Sequence, residues 1–310
     1  MNMLGTIFSL FQVVLTVVVL VHAPHRAPAV RERLVDIGTH RLHVRIEGEG
    51  GPVVVIETGI GDLSANWRPV QSRLAEETCV ITYDRAGYGA SEPGPLPRSA
   101  ARASRELYAL LEAIPVDGPC IIVGHSLGGL NAQVFARLHP GRVAGLILLD
   151  PPPLGWITGE TYPGLRKMAE EMTKEWFAAS KRLESSSDGN GRSLAKFYRA
   201  IASEQSELFG SSATEAASIA SFGDLPLLVI AAGRANPMFG EVADEFQRFW
   251  IEENRSLSLK STRGTFLLLE QSSHHLYDDE PDRIVEAIFS MVAAVRSNDP
   301  PGDPATGAVR

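Results

Sequence analysis

The chain has 310 residues, of which 44% are hydrophobic and 21% are charged, and this globular balance excludes collagen, coiled-coil and disordered chains. Its 29 basic and 37 acidic residues give a net charge of −8, which disfavours nucleic acid as a partner. Two cysteines, Cys79 and Cys120, are too few for a disulfide scaffold or a multi-cysteine zinc site. Composition therefore permits a soluble enzyme, with one exception at the N-terminus.

That exception is a hydrophobic N-terminal segment. The run from Leu4 to Val21 contains no charged residue and exceeds roughly 17 residues, the shortest length that spans a bilayer as a helix. No Lys or Arg precedes the run, whereas Arg26, Arg31 and Arg33 follow it. This charge pattern predicts an uncleaved single-helix membrane anchor with the folded domain in the cytoplasm. A cleaved signal peptide, which would make the protein secreted or periplasmic, is the alternative.

Beyond a predicted linker at residues 24–33, short aliphatic runs alternate with helix-like segments. An alternating strand at Arg41–Glu47 is followed by buried-strand runs at Val53–Ile56, Cys79–Tyr83, Cys120–Val123, Leu146–Leu149, Leu227–Ala232 and Thr265–Leu269. Helical spacing occurs at Trp67–Glu76, Ser99–Ile114, Leu127–His139, Glu241–Glu253 and Asp282–Val295. The alternation predicts an α/β fold with a mostly parallel sheet covered by helices on both faces. Ligands of such sheets bind beyond the carboxyl ends of the strands.

One stretch, residues 151–222, breaks this alternation. It contains no aliphatic strand, is rich in aromatic residues and has helical character. We therefore expect a helical cap inserted into a core formed by residues 34–150 and 223–296. The tail, residues 297–310, is rich in Pro and Gly and is predicted to be disordered.

The strongest chemical signal is the sequence Gly124-His125-Ser126-Leu127-Gly128. It fits the pattern G-x-S-x-G, follows a predicted buried strand and opens a predicted helix. A sharp turn in this context projects the serine hydroxyl above the sheet, and the following helix N-terminus favours developing negative charge. Ser126 is therefore the predicted nucleophile.

With this motif the sequence resembles the α/β-hydrolase fold superfamily, in its serine hydrolase branch with a helical cap. The resemblance covers roughly residues 34–296 and implies an eight-stranded sheet. Two further segments carry it: Tyr83–Ser91 is similar to the loop after the family's fourth strand, and Ser272–His274 is similar to its terminal histidine loop.

A serine hydroxyl needs a neighbouring base to remove its proton, and histidine is the usual base. Two adjacent histidines, His274 and His275, follow the last predicted strand. The family's histidine loop aligns with His274, so the resemblance implies His274 as the base, with His275 as the alternative. His125 lies beside the nucleophile, where family members often have a histidine that does not act as the base.

The carboxylate that would orient the base has more than one candidate position in the sequence. Most family members have it after the seventh strand, but here that position is Asn236. Some branches have the acid after the sixth strand, where this chain has Asp150, and Asp150 keeps the order Ser, acid, His. The resemblance therefore implies Asp150. Asp224, Asp244 or the absence of a functional acid are alternatives.

Two backbone N–H groups are expected to form an oxyanion hole. One belongs to Leu127, directly after the nucleophile, and the other to Ile60 in the loop after the third strand. The family often has a histidine where this chain has Thr58, but a backbone donor tolerates that change. Asp84 and Arg85 are expected to brace the neighbouring loop.

These residues predict a serine hydrolase that cleaves an uncharged small-molecule ester or related acyl compound. No metal, nucleotide or flavin motif occurs, so no cofactor is expected, and the sequence indicates no oligomeric state. An acyltransferase would use the same three residues. A catalytically weak, membrane-tethered ligand-binding or signalling protein is the alternative from another class, motivated by Asn236.

Overall fold

The computed structural model describes residues 30–159 and 161–297. The predicted hydrophobic segment at residues 1–23, most of the linker and the tail beyond Ser297 lie outside these residues. Within the two described ranges, no helix is both long enough and apolar enough to cross a membrane. The anchor, the signal peptide and the location of the folded domain stay predictions.

The described residues contain one eight-stranded sheet in the order β1-β2-β4-β3-β5-β6-β7-β8. The strands are β1 (Val30–Asp36), β2 (Arg41–Glu47), β3 (Val54–Glu57), β4 (Val80–Tyr83), β5 (Cys120–His125), β6 (Val143–Leu149), β7 (Leu227–Ala232) and β8 (Gly264–Leu269). β2 pairs antiparallel with both β1 and β4, whereas every other neighbouring pair is parallel. The predicted mostly parallel, eight-stranded α/β fold is confirmed.

Helices follow most of the strands. They are α1 (Arg68–Leu74), α2 (Ala100–Ala113), α3 (Leu127–Leu138), α4 (Leu154–Thr158), α5 (Pro163–Glu184), α6 (Gly189–Leu208), α7 (Ser211–Ala217), α8 (Ala243–Ser258), α9 (Leu276–Asp279) and α10 (Pro281–Ser297). Short 3-10 helices lie at Ser64–Trp67, Pro140–Arg142 and Pro237–Val242. Each of the five predicted helical segments overlaps one of these α-helices, with boundaries shifted by up to five residues.

The aliphatic strands are buried on both faces, which explains their continuous hydrophobic sequences. In β3, Val54 and Ile56 pack on the face covered by α1 and α10, whereas Val55 packs on the face covered by α2 and α3. This alternation follows from the two-residue repeat of a strand. The sheet thus lies between two hydrophobic layers, and its strand ends are held in fixed positions.

The first strand corrects the predicted linker boundary, because residues 30–33 belong to β1 rather than to a linker. The hydrophobic pattern did not reveal β1, because six of its seven residues are exposed and the three residues of Arg31–Arg33 are all charged. β1 is an edge strand, where charged side chains are common. Glu32 pairs with Arg45 of the neighbouring strand at 3.3 Å.

Four helices, α4 to α7, occupy the chain between β6 and β7, within the segment predicted to be a cap. Helices α5 and α6 form a hairpin joined by residues 185–188. Side chains from α4, α5 and α7 share a hydrophobic cluster with Leu127 and Leu130 of α3. The helices therefore cover the carboxyl end of β5, where Ser126 lies.

Candidate active site

Ser126 occupies a strained turn between β5 and α3. Its φ of 53° and ψ of −123° lie in a region that residues with side chains rarely adopt. A Cβ atom on Gly124 would lie 2.5 Å from the Gly128 carbonyl oxygen, and one on Gly128 would lie 2.1 Å from the Glu57 carbonyl oxygen. Both distances are shorter than van der Waals contact allows. The turn therefore requires both glycines of the G-x-S-x-G motif.

The predicted nucleophile, base and acid are brought together in one chain of hydrogen bonds. His274 Nε2 lies 2.9 Å from Ser126 Oγ, and His274 Nδ1 lies 2.6 Å from Asp150 Oδ2. An ionised carboxylate only accepts hydrogen bonds, so Nδ1 carries the proton and Nε2 accepts from the serine hydroxyl. This is the tautomer that a general base needs for Ser126.

The loop after β8 holds His274 in this position. The backbone N–H of Ser273 donates to Asp279 Oδ2 at 2.6 Å, which joins the loop to the short helix α9. His275, the alternative base, is exposed, and none of its hydrogen bonds among the described residues reaches Ser126 or Asp150. Of the two adjacent histidines, His274 is thus the one that contacts both Ser126 and Asp150.

Asp150 follows directly after β6 and is almost completely buried, with 2% of its surface exposed. Its backbone has a positive φ of 48°, which turns the side chain away from the strand. Its Oδ1 accepts a hydrogen bond from the backbone N–H of Ala232 at 3.0 Å, which leaves Oδ2 for His274. Sequence reasoning missed Ala232, because a backbone donor leaves no trace in side-chain identity.

The other proposed positions for the acid lie elsewhere. Asn236 caps the 3-10 helix at Pro237–Val242, where its side chain accepts from the Met238 N–H at 3.0 Å. Asp224 and Asp244 are both exposed, and Asp224 precedes the amino end of β7, at the opposite edge of the sheet. Of the four positions considered, Asp150 is the one in contact with His274.

The two backbone N–H groups that the sequence proposes for an oxyanion hole belong to Leu127, which follows Ser126 directly, and to Ile60, whose neighbour Gly59 lies close to Ser126. Leu127 is the first residue of α3, and the first N–H groups of a helix have no acceptor within the helix. Ile60 lies in the loop after β3, and the preceding Gly59 is so close that a Cβ there would lie 3.3 Å from Ser126 Cβ. Among the described residues, neither N–H has a hydrogen-bond acceptor.

Asp84 and Arg85, in the loop after β4, brace the loop after β3. Asp84 Oδ1 accepts from the Ser64 N–H at 3.0 Å, and Arg85 donates to the carbonyl oxygens of Thr58 and Gly59 at 2.6 and 2.8 Å. Arg85 is buried despite its charge, with 2% of its surface exposed. The sequence predicted the bracing but not which groups receive it.

His125 contacts the backbone of His274, whereas the Ser126 hydroxyl contacts the His274 ring. The His125 Nε2 donates to the His274 carbonyl oxygen at 2.8 Å. Burial lowers the pKa of His125 well below its usual value of 6.5, and the nearby His274 lowers it further. His125 is therefore neutral near pH 7. Sequence reasoning did not identify this contact, for which adjacency to Ser126 is the only signal.

An aromatic cluster from α4, α8 and the end of α6 lies beside His274. The Trp250 ring lies 5.8 Å from the His274 ring and 6.1 Å from the Trp156 ring, which in turn lies 5.1 Å from Phe209. Ile60 packs against the same cluster. The surroundings of the site are therefore largely apolar, which strengthens electrostatic interactions inside it.

This arrangement brings together a serine hydroxyl, a histidine ring, a carboxylate and two N–H donors, the kinds of group that acyl transfer requires. Within the described part of the chain, no group of three or more His, Cys, Asp or Glu side chains is arranged to hold a metal ion.

Comparison with known proteins gives the same family. A model of the alpha/beta hydrolase family matches residues 50–287, more than half of the chain. Uncharacterized protein YqjL of Bacillus subtilis (strain 168) is 27% identical over 248 residues, which cover 80% of this chain and 86% of that protein. The 2-(acetamidomethylene)succinate hydrolase of Mesorhizobium japonicum is 32% identical over 121 residues, 39% of this chain and 43% of that protein.

Among solved structures, a thermophilic esterase from Thermogutta terrifontis superimposes with a TM-score of 0.59 at 19% identity. The match covers 86% of this chain and 99% of that chain, and it shows a common fold. Because the family match spans the strands and loops that carry Ser126, Asp150 and His274, this chain belongs to the alpha/beta hydrolase family.

Proposed function

We propose that this protein is a carboxylesterase-like serine hydrolase that cleaves an ester or related acyl bond through an acyl-enzyme on Ser126. The observation that carries the proposal is the pair of hydrogen bonds from Ser126 to His274, at 2.9 Å, and from His274 to Asp150, at 2.6 Å. The free N–H groups of Ile60 and Leu127 beside the serine support it.

In the proposed reaction, Ser126 Oγ attacks the carbonyl carbon of the substrate while His274 Nε2 accepts the hydroxyl proton. The Ile60 and Leu127 N–H groups donate hydrogen bonds to the resulting oxyanion. His274 then transfers the proton to the departing alcohol, and the bond between the carbonyl carbon and that oxygen breaks. Water, deprotonated by His274, then attacks the acyl carbon; the bond from this carbon to Ser126 Oγ breaks, and His274 returns the proton to Ser126 Oγ. Asp150 keeps His274 in the required tautomer and stabilises the imidazolium.

The expected substrate is a small, uncharged acyl compound, because aromatic and aliphatic side chains lie beside the base. An acyltransferase would form the same acyl-enzyme and pass the acyl group to an alcohol or amine instead of water. The alternative of a catalytically weak binding protein was motivated by Asn236. The contact between Asp150 and His274, at 2.6 Å, favours the enzyme over this alternative.

The test is covalent labelling of the full chain with a fluorophosphonate, followed by hydrolysis of p-nitrophenyl esters of increasing acyl length. The wild-type protein should label and turn over, whereas Ser126→Ala should not label and should lose turnover by roughly 10⁴-fold or more. Ser206→Ala, which changes an exposed serine of α6, is the matched control and should behave as wild type. A folded wild-type protein that neither labels nor turns over esters would contradict the proposal.

We also propose that the hydrophobic segment at residues 1–23 attaches the enzyme to a membrane, with the folded domain in the cytoplasm. The proposal rests on the uncharged run and the arginines that follow it. Full-length protein should stay with membranes after an alkaline carbonate wash. A mature chain that begins after this segment, identified by N-terminal sequencing, would instead indicate a cleaved signal peptide.

A further inference from the structure

A single buried guanidinium holds two successive carbonyl groups in the loop after β3, here called the β3 loop (residues 58–62). Arg85 Nη1 donates to the Thr58 carbonyl oxygen at 2.6 Å, and Arg85 Nη2 donates to the Gly59 carbonyl oxygen at 2.8 Å. The β3 loop is therefore not held by its own backbone turns alone. Its orientation depends on a side chain from a different loop.

The second contact fixes the direction of the Ile60 N–H. The Gly59 carbonyl and the Ile60 N–H belong to one peptide unit, which is planar and trans, so the two groups point in opposite directions. Because Arg85 holds the carbonyl on one side, the N–H must face the other. A hydrogen bond to the carbonyl also polarises the N–H of the same unit.

The far side of Ile60 is fixed as well. The Gly61 N–H donates to the Tyr88 hydroxyl at 3.0 Å, and that hydroxyl in turn donates to Glu204 Oε2. Both neighbours of Ile60 are thus held, one by Arg85 and the other by Tyr88. The N–H of Ile60 itself is left without an acceptor among the described residues.

One residue of α6 joins these two supports. Glu204 accepts from Arg85 Nε at 2.8 Å and from Arg85 Nη2 at 3.0 Å, in addition to its bond with Tyr88. Glu204 and Arg85 have 3% and 2% of their side-chain surfaces exposed. A buried ion pair contributes little net stability, because desolvation offsets most of its attraction, but it fixes geometry through several directional bonds.

We propose that Arg85 is a positioning residue that orients and polarises the Ile60 N–H, and that Glu204 holds Arg85 and Tyr88 for this purpose. A helix between β6 and β7 thereby takes part in forming the oxyanion hole. This inference rests on the proposed function, since it assigns Ile60 a role only if Ser126 forms tetrahedral intermediates.

The test compares turnover of a p-nitrophenyl ester with that of its thionoester, in which sulfur replaces the carbonyl oxygen. Sulfur accepts hydrogen bonds poorly, so the ratio of the two kcat values reports how well the oxyanion hole works. Arg85→Lys keeps the positive charge but loses the planar guanidinium, which donates to both carbonyl groups at once. We expect its ester kcat to fall at least about tenfold, with the ester-to-thionoester ratio falling in parallel and KM changing little.

Arg98→Lys is the matched control. Arg98 is also buried, and its Nη1 and Nη2 each donate to Glu106 at 2.6 Å, but it does not contact the β3 loop. Both variants lose a buried, planar guanidinium group and should lose comparable thermal stability. Only Arg85→Lys should change the ester-to-thionoester ratio, which separates positioning from general support of the fold.

Glu204→Gln is the second variant and should also lower the ester-to-thionoester ratio. Its amide has one acceptor oxygen, whereas both carboxylate oxygens of Glu204 accept hydrogen bonds from Arg85 and Tyr88. A ratio equal to wild type in folded Arg85→Lys would overturn the inference. If Arg85→Lys does not fold, an unchanged ratio in Glu204→Gln would overturn it. A wild-type protein without esterase activity would instead overturn the proposed function.

Discussion

Asp150 Oδ1 accepts a hydrogen bond from the backbone N–H of Ala232 at 3.0 Å, so the end of β7 fixes the rotation of a carboxylate that follows β6. The other oxygen, Oδ2, faces His274 Nδ1 at 2.6 Å. The two oxygens of Asp150 are therefore not equivalent: one is committed to the backbone and the other to the base.

This difference predicts the effect of Asp150→Asn. The backbone tolerates the change, because Asn adopts a positive φ more readily than most residues. The amide oxygen should stay with the Ala232 N–H, which turns the amide NH₂ toward His274 Nδ1. His274 would then adopt the wrong tautomer for accepting the Ser126 proton. We expect kcat to fall by about 10⁴-fold with little change in KM, measured with p-nitrophenyl esters.

Asp224→Asn, at an exposed carboxylate before β7, is the matched control and should leave kcat unchanged. Adding Asn236→Asp to the Asp150→Asn variant should not restore activity, since Asn236 caps a 3-10 helix. Wild-type turnover by Asp150→Asn, or rescue by Asn236→Asp, would assign the acid to another residue.

A second prediction concerns the glycine that follows the nucleophile by two positions. In Gly128→Ala the new Cβ would lie 2.1 Å from the Glu57 carbonyl oxygen and 2.4 Å from that of Thr58. Backbone atoms cannot move aside as easily as a flexible side chain. We expect the free energy of unfolding to fall by about 3 kcal/mol or more, measured by urea denaturation, together with a large loss of esterase activity.

Gly141→Ala provides the comparison, because a Cβ there would meet nothing within 4 Å. Its free energy of unfolding should change by no more than about 1 kcal/mol, and its activity should equal that of wild type. Equal stability of the two variants would mean that the turn at Ser126 is less tightly packed than described.

A third prediction follows from the neutral state of buried His125. Burial lowers the pKa of His125 well below 6.5, so the unfolded chain binds a proton at this residue at pH values where the folded chain does not. Folding is therefore favoured fully above about pH 6.5, and this contribution is lost as the pH falls below that value. The loss amounts to at most about 1.4 kcal/mol per pH unit for one residue.

His125→Gln removes the titrating ring and keeps a donor for the His274 carbonyl. Its Tm should fall less than that of wild type between pH 7 and pH 5, measured by differential scanning calorimetry. His275→Gln, at an exposed histidine, should follow wild type. The same pH dependence in His125→Gln and wild type would show that folding does not lower the pKa of His125.

Much of the fold could be predicted because the buried strands have distinctive sequences. Aliphatic runs such as Leu227–Ala232 are buried on both faces of a parallel sheet, and continuous hydrophobic runs of this length, bounded by turn residues, are typical of such strands. β1 was missed because it lies at the sheet edge, where exposed and charged side chains remove the hydrophobic pattern.

Within the candidate site, too, some residues could be predicted from the sequence and others could not. Ser126 and His274 could be proposed from local motifs, because a strand, a tight turn and a helix constrain neighbouring residues. The contact between Arg85 and Glu204 joins residues 119 positions apart, and no local pattern reports it. Backbone groups such as the Ala232 N–H are equally hidden, since any residue except proline provides one.

Because Asp150 follows β6, the described segment between β7 and α8, residues 233–242, supplies no side chain to the hydrogen bonds that join Ser126, His274 and Asp150. In the segment from Gly233 to Val242, Asn236 caps an exposed 3-10 helix, and Met238 has 63% of its surface exposed. From this side, Asp150 accepts a hydrogen bond from the backbone N–H of Ala232, inside the strand. Side-chain changes at Asn236 or Met238 should therefore leave the position of Asp150 unaltered, whereas Gly233, where a Cβ would lie 2.4 Å from Glu270 Cα, does not tolerate a larger residue.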